Sequence, residues 1–211
     1  QTVAPQKIEN LFRDFPSVGR IFLVGDHRPY NTALIRPAPD VTEVDFSSMS
    51  EAEVKGHFRS LVASVNSFLA PYERIVDFAI LDRDLSVDRD ELTAKGTYRR
   101  KVVERHFADT IRLLYRRTAV AVGGVEVVVP NWLFQSLGLT SGAVAATSGR
   151  LTLGDASPGV RIRRLDGGLV QVGAVRYEHP DRPLDLGVLL STPRLWLGNE
   201  ELVGLAPLTA Q

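Results

Sequence analysis

Charge is spread along this chain too unevenly for one fold with one kind of surface. Residues 1–117 hold 18 Lys/Arg and 17 Asp/Glu, whereas residues 118–211 hold 7 and 8, and all four lysines fall in the first part. Such a break, just after Leu114-Tyr115-Arg116-Arg117, reads as a junction between two domains, 1–117 and 118–211. A length of 211 residues fits two small domains or one ordinary one, and a hydrophobic content of 44% is typical of a globular fold with a core.

The first domain alternates helical and strand patterns. Ser50-x-x-Glu53 is a capping box, and Val54, Phe58, Leu61, Val62, Val65, Phe68 and Leu69 recur at helical spacing, so a helix is expected over 50–69. Pro5 suits the first turn of a shorter helix with Ile8, Leu11 and Phe12 on one face. Arg20 to Val24 and Thr32 to Ile35 read as a hairpin, whose turn chemistry accounts for Gly25-Asp26-His27-Arg28-Pro29 better than an acid-base cluster does. Ile75 to Leu81 reads as a buried strand. The alternating charges of Asp82-Arg83-Asp84 and Asp88-Arg89-Asp90-Glu91 around Leu85 and Val87 read as a solvated turn. A small sheet flanked by helices follows.

The segment from Asp90 to Tyr115 is where chemistry would reside. Val102, Val103, Phe107, Ile111 and Leu114 share one helical face, and the loop before them carries Lys95, Arg99, Arg100 and Lys101. Positive charge at a helix N-terminus adds to the macrodipole and suits an anion, although a solvated basic loop would read the same way.

Four ordered blocks carry a resemblance. They are Val3-Ala4-Pro5-Gln6-Lys7-Ile8-Glu9-Asn10; Val24-Gly25-Asp26-His27-Arg28-Pro29-Tyr30-Asn31-Thr32-Ala33-Leu34-Ile35; Pro71-Tyr72-Glu73-Arg74-Ile75 leading to Phe78-Ala79-Ile80-Leu81; and Glu91-Leu92-Thr93 with Arg99-Arg100-Lys101-Val102-Val103-Glu104. Over residues 1 to about 117 the chain resembles the C-terminal domain of the long-chain fatty acyl-CoA synthetases, members of the adenylate-forming superfamily. The resemblance implies a lid that rotates between two half-reactions, acyl-adenylate formation and thioester formation. It implies ATP/AMP and CoA as ligands, and Mg2+ bound elsewhere in the full enzyme. Its partners would be an N-terminal adenylation domain of the same parent chain and CoA or an acyl carrier protein. The phosphate-binding loop of the large domain is not in this sequence, so a fragment of a larger chain is expected, inactive alone.

The family loop reads Leu-Thr-Pro-Thr-Leu-Lys before the basic pair, and that lysine reaches the acyl carboxylate and the nucleotide phosphate. Aligned on Leu92-Thr93 and Arg99-Arg100, its position here is Thr97. Losing a preorganised cation at a reacting phosphorus typically costs a factor of about a hundred or more. Lys95, two residues away beside Gly96, is the possible substitute, with Arg99 and Arg100 as substrate-binding residues by resemblance.

Residues 118–211 read as short strands separated by Gly turns, favouring a small barrel or sandwich. The strands are Ala119 to Val122 and Val125 to Val129, then Gly149 to Gly154, Gly159 to Leu165, Leu169 to Tyr177 and Leu186 to Leu190. Only Asn131 to Leu137 hints at a helix. Arg161 and Arg163 fall at alternate positions, and with Arg176 they could line one sheet face, where they bind phosphate or stay solvated. The fold class is thus α+β, a lid-like domain followed by a β-rich one of unknown role.

Several functions are disfavoured. With no cysteine, disulfide and thiolate chemistry is excluded, and His27, His57, His106 and His179 show no metal-ligand spacing. With 25 basic and 25 acidic residues no overall field draws nucleic acid. No apolar run reaches membrane-spanning length and no signal peptide opens the chain, so a cytoplasmic setting is expected. Two readings stand: part of an ATP-dependent acid-thiol ligase, or a catalytically degenerate lid that serves with its β domain as an interaction or carrier-docking module.

Overall fold

The computed structural model describes residues 3–39, 43–155, 157–179 and 182–205. The chain divides into two compact units, Gln1–Arg116 and Arg117–Gln211. Among the described residues the architecture is α+β.

In the first unit, α1 (Pro5–Asn10) begins on Pro5, whose missing N–H is one that a first turn leaves unpaired in any case. Strands β1 (Val18–Val24) and β2 (Asn31–Pro37) pair antiparallel. The helix α2 (Glu51–Asn66) is closed at its start by the capping box, Ser50 Oγ accepting from the Glu53 N–H while Glu53 accepts from the Ser50 N–H. It leads to β3 (Ile75–Ile80), which pairs parallel with β2 and makes β2 the central strand. The chain then runs to α3 (Arg100–His106) and α4 (Ala108–Leu114).

Because side chains alternate across a strand, the sheet feeds two cores. Ile21, Leu23, Ala33 and Ile35 meet Ile8, Phe12, Phe58, Val62 and Val65 on one face. Phe22, Val24 and Leu34 meet Leu85, Leu92, Val103, Phe107, Ile111 and Leu114 on the other. Both faces are therefore covered, and β2 is buried over its first five residues.

Three local expectations are adjusted. Helix α2 ends at Asn66, short of Leu69, so Phe68 lies outside the apolar stripe and is 81% exposed while Leu69 stays buried. The single helix expected after Arg100 bends at Phe107, whose ψ of 22° leaves the helical region. The Ile111 N–H still donates to the Phe107 carbonyl at 2.9 Å, so the ladder is bent and not ended. In the supposed solvated turn, Leu85 and Glu91 are buried.

The second unit opens with β4 (Thr118–Val122) and β5 (Val125–Val129), an antiparallel hairpin whose turn, Gly123-Gly124, has φ of 53° and 78°. Helix α5 (Asn131–Leu137) ends on Gly138 in the left-handed region. A five-stranded antiparallel meander follows: β6 (Val144–Thr147), β7 (Arg150–Leu153), β8 (Val160–Leu165), β9 (Leu169–Val172) and β10 (Val175–Glu178). The short β11 (Leu184–Asp185) pairs parallel with β5, and α6 (Leu186–Ser191), α7 (Pro193–Trp196) and α8 (Glu200–Leu205) complete the unit.

This unit is β-rich but, among the described residues, forms two separate sheets and no closed barrel. Leu169 to Tyr177 is not one strand, because Gly173, at φ 58°, turns it into the β9–β10 hairpin. Leu186 to Leu190 is not a strand either. Asp185 accepts from the Gly187 N–H at 2.8 Å and caps a helical turn that buries Leu186 and Leu189, three residues apart.

Candidate functional site

The basic loop of the first unit is a hairpin with a built stem. Leu92 and Tyr98 form an antiparallel bridge, and the Arg99 N–H donates to the Glu91 carbonyl at 2.8 Å. At the tip, the Gly96 N–H donates to the Thr93 carbonyl at 2.8 Å and the Thr93 N–H to the Thr97 carbonyl at 2.9 Å. With Gly96 at φ 79°, this is a turn followed by a left-handed glycine, the pattern of three-residue hairpin loops. Lys95 and Thr97 are exposed on either side of Gly96.

The stem is held from beneath by a carboxylate. Glu91 has no exposed side-chain surface and accepts from Arg83 at 2.6 and 2.9 Å, from His106 Nδ1 at 2.9 Å and from the Ser86 N–H at 3.1 Å. Desolvation alone would raise its pKa, but the Arg83 and His106 hydrogen bonds overcome it and hold Glu91 at about 2. Tyr98 closes the other side, donating to the Ile21 carbonyl and meeting Phe22 edge-on at 5.2 Å. Burial, with the nearby Glu9 carboxylate, raises the Tyr98 pKa.

The tip forms one wall of a cleft of about 450 Å³. Lys95, Gly96 and Thr97 face Glu9 and Arg13 from the α1 segment and Arg20 from β1. Arg20 is engaged by Asp84 at 2.6 Å, whose hydrogen bond raises the arginine's pKa. Among the described residues no carboxylate pairs with Lys95 or Arg13. The cleft therefore offers two uncommitted cations beside one buried acid, a setting for an anionic group brought in from outside.

The four residues singled out in the sequence do not converge. Lys95 and Thr97 share the tip. Arg99 pairs with Asp90 at 3.0 Å in solvent. Arg100 turns inward, donating to the Leu23 carbonyl and the Glu9 carboxylate with its guanidinium 4.7 Å from the Phe22 ring centre. Glu9 also accepts from the buried Leu23 N–H at 2.8 Å, so the Glu9–Arg100 pair ties α1, β1 and the start of α3 together. Glu9, Glu91 and Tyr98 were not picked out as functional in the sequence. The only signal was that Glu9 and Glu91 fall inside the motif blocks. His57 lies at the rim of its core against Ser17 at 2.9 Å and Phe46, and among the described residues no group of His, Asp and Glu is placed to hold a metal ion.

The first unit is thus a small sheet with helices on both faces and a basic hairpin leading into α3. The chain belongs to the AMP-binding enzyme C-terminal domain family, whose profile matches residues 1–119. It is similar to the long-chain-fatty-acid–CoA ligase FadD15 of Mycobacterium tuberculosis, 28% identical over 129 residues, which is 56% of this chain and 22% of that protein. The Mycobacterium bovis FadD15 matches to the same extent. The chain thus spans about a fifth of the length of these relatives.

Among solved structures it is similar to the A-PCP didomain of a carboxylic acid reductase from Segniliparus rugosus in complex with AMP. That match has 24% identity and a TM-score of 0.46 and covers 54% of this chain and 16% of that one. The adenylation domain of a carboxylate reductase from Mycobacterium chelonae matches with 25% identity and a TM-score of 0.47, over 54% of this chain and 18% of that one. No helix among the described residues is long and apolar enough to cross a membrane.

Proposed function

We propose that this chain is the C-terminal part of an ATP-dependent long-chain fatty acid–CoA ligase, working in the cytoplasm with an N-terminal adenylation domain of the same parent chain. In the first half-reaction the fatty carboxylate attacks the α-phosphorus of ATP and pyrophosphate leaves. In the second, a thiol of CoA or an acyl carrier attacks the acyl carbonyl and AMP leaves. ATP and Mg2+ would be gripped by the N-terminal domain, and the first unit acts as the lid.

The observation that carries this reading is the tip. Lys95 stands at the apex of a hairpin whose stem is fixed by Glu91 and Tyr98, exposed and free of any carboxylate among the described residues. An ammonium so placed enters a neighbouring cleft without first breaking a salt bridge, and there it stabilises charge developing on the carboxylate and phosphate. Arg99 adds positive potential at the root, and Arg100 sets the root's position through Glu9. Thr97, two residues away, carries no charge, so the lysine's role passes to Lys95.

Pyrophosphate exchange with the full-length parent protein and a long-chain acid tests this. Exchange that falls about a hundredfold in Lys95→Ala supports it. Exchange unaffected by Lys95→Ala removes that residue's role. No exchange in the wild type, with tight binding of a carrier, would favour the degenerate-lid reading that Thr97 motivates.

A further inference from the structure

The meander of the second unit carries an arginine face. In its register Arg163 of β8 lies opposite Gln171 of β9, and Gln171 lies opposite Arg176 of β10. Arg150 of β7 lies opposite Arg161 of β8. Residues directly opposite share a face, and Arg161 and Arg163, two apart on one strand, share it as well. Four of the seven arginines after residue 117 therefore stand on one side of one sheet. The opposite side buries Leu151, Leu153, Val160, Ile162, Val170 and Val172, and carries Arg164 beside Val170, where it donates to the Gly124 carbonyl.

The face is not neutralised evenly. Arg161 is bound by Glu201 at 2.7 Å, and Arg150 donates to the Pro158 and Gly159 carbonyls. Arg163 donates to the neutral Gln171 amide at 2.9 Å, and among the described residues no carboxylate pairs with Arg163 or Arg176. Two exposed guanidinium groups thus lie two strand spacings apart, about 10 Å, with a hydrogen-bonding amide between them.

We infer that the β8–β9–β10 face is a docking surface for an acidic protein segment, its carboxylates received by Arg163 and Arg176. A small phosphate ligand wants a concave site, and this row runs across the open face of a sheet. Single-stranded nucleic acid wants aromatic platforms, yet this side of β8, β9 and β10 presents Arg161, Arg163, Leu165, Leu169, Gln171, Arg176 and Glu178 and no aromatic ring. A guanidinium takes a carboxylate in a two-pronged geometry, and arginine rather than lysine occupies every cationic position here. This inference is independent of the role given to Lys95.

The test titrates the intact chain, in low salt, with fluorescein-labelled poly-L-glutamate. Oligothymidylate of equal length and inorganic phosphate serve as competitors. Saturable binding of the polyglutamate is expected, weakened about tenfold in Arg163→Glu/Arg176→Glu and less in Arg163→Lys/Arg176→Lys. It should be unchanged in Arg194→Glu, an exposed control in α7. Thermal unfolding of each variant establishes that it is folded, and Arg163→Gln/Arg176→Gln replaces the Glu pair if that one is not. Absence of binding, equal loss in the Arg194 control, tighter binding of oligothymidylate, or displacement by inorganic phosphate at comparable concentration would each overturn the inference.

Discussion

Arg83 and Glu91 form a two-pronged pair, with Nη1 to Oε2 at 2.9 Å and Nη2 to Oε1 at 2.6 Å, around a carboxylate that has no exposed surface. Because Glu91 is held at about 2, below its ordinary value of 4.5, the folded state favours its ionised form. That stabilisation is complete above pH 4.5 and is lost as pH falls towards 2. It amounts to something on the order of 3 kcal/mol. The amides of α3 and α4 should therefore exchange faster with solvent as pH drops through this window, after correction for intrinsic rates. Glu91→Gln should lose about 2–4 kcal/mol at neutral pH and no longer show the acid dependence. Exchange protection in α3 is the measurement, since both tryptophans, Trp132 and Trp196, lie in the second unit and do not report on the first.

The Glu9–Arg100 pair gives a sharper test, because Glu9 has two partners of different kinds. Arg100→Met leaves the Glu9 carboxylate, 9% exposed, without its counter-charge and should cost about 3–5 kcal/mol. Glu9→Gln/Arg100→Met removes the stranded charge while the Gln amide oxygen still accepts from the Leu23 N–H, so the double variant should be more stable than Arg100→Met alone. Unfolding of the first unit followed by hydrogen exchange decides it. A double variant less stable than the single one would mean that the pair does not act as a unit.

These two pairs also mark where sequence patterns stop informing. The capping box at Ser50, the β1–β2 hairpin and the α2 stripe were legible because each is fixed by neighbours within four residues or by one period. The tip hairpin was legible only as a loop, since its stem pairs Leu92 with Tyr98 and its anchors, Arg83 and His106, come from outside it. Arg100 reads as a substrate-binding residue by resemblance, because nothing local says that Glu9, ninety-one positions earlier, faces it. In the second unit, Leu186 to Leu190 has the composition of a strand, and only the Asp185 cap and the burial of Leu186 with Leu189 make it helical. In the first unit the deciding side-chain partners lie outside the local pattern, and no period encodes them.

Gly123 and Gly167 separate the cost of a backbone conformation from the cost of a collision. Both have positive φ, 53° and 72°, which any L side chain resists. A Cβ at Gly167 meets nothing within 4 Å, whereas at Gly123 it falls 1.9 Å from the Ile162 carbonyl oxygen. Gly167→Ala should cost about 1 kcal/mol, the conformational penalty alone. Gly123→Ala should cost clearly more, about 3 kcal/mol or above, because the β4–β5 turn must move off β8. Denaturant unfolding monitored by tryptophan fluorescence reads both variants in the unit that contains them. Equal losses would mean that the turn is not held against β8.

The tip yields the prediction on which the ligase reading turns. Lys95 and Thr97 are exposed, and no salt bridge among the described residues involves Lys95, so Lys95→Ala and Thr97→Lys should each leave stability within about 0.5 kcal/mol. Gly96→Ala should cost about 1 kcal/mol, since its φ of 79° is strained for alanine although no atom lies within 4 Å of the new methyl. Activity should separate what stability does not. In the full-length parent protein, Lys95→Ala should lower pyrophosphate exchange about a hundredfold, and Thr97→Lys in that background should restore much of it, because the second position lies on the same exposed tip one glycine away. The apparent affinity for ATP should move far less than the rate, as for a cation that acts on the transition state and not on substrate capture. Rescue by Thr97→Lys with wild-type unfolding behaviour would tie the chemistry to charge at this tip. Failure of rescue, with Lys95→Ala still inactive, would mean that Lys95 acts through a path particular to its place before Gly96.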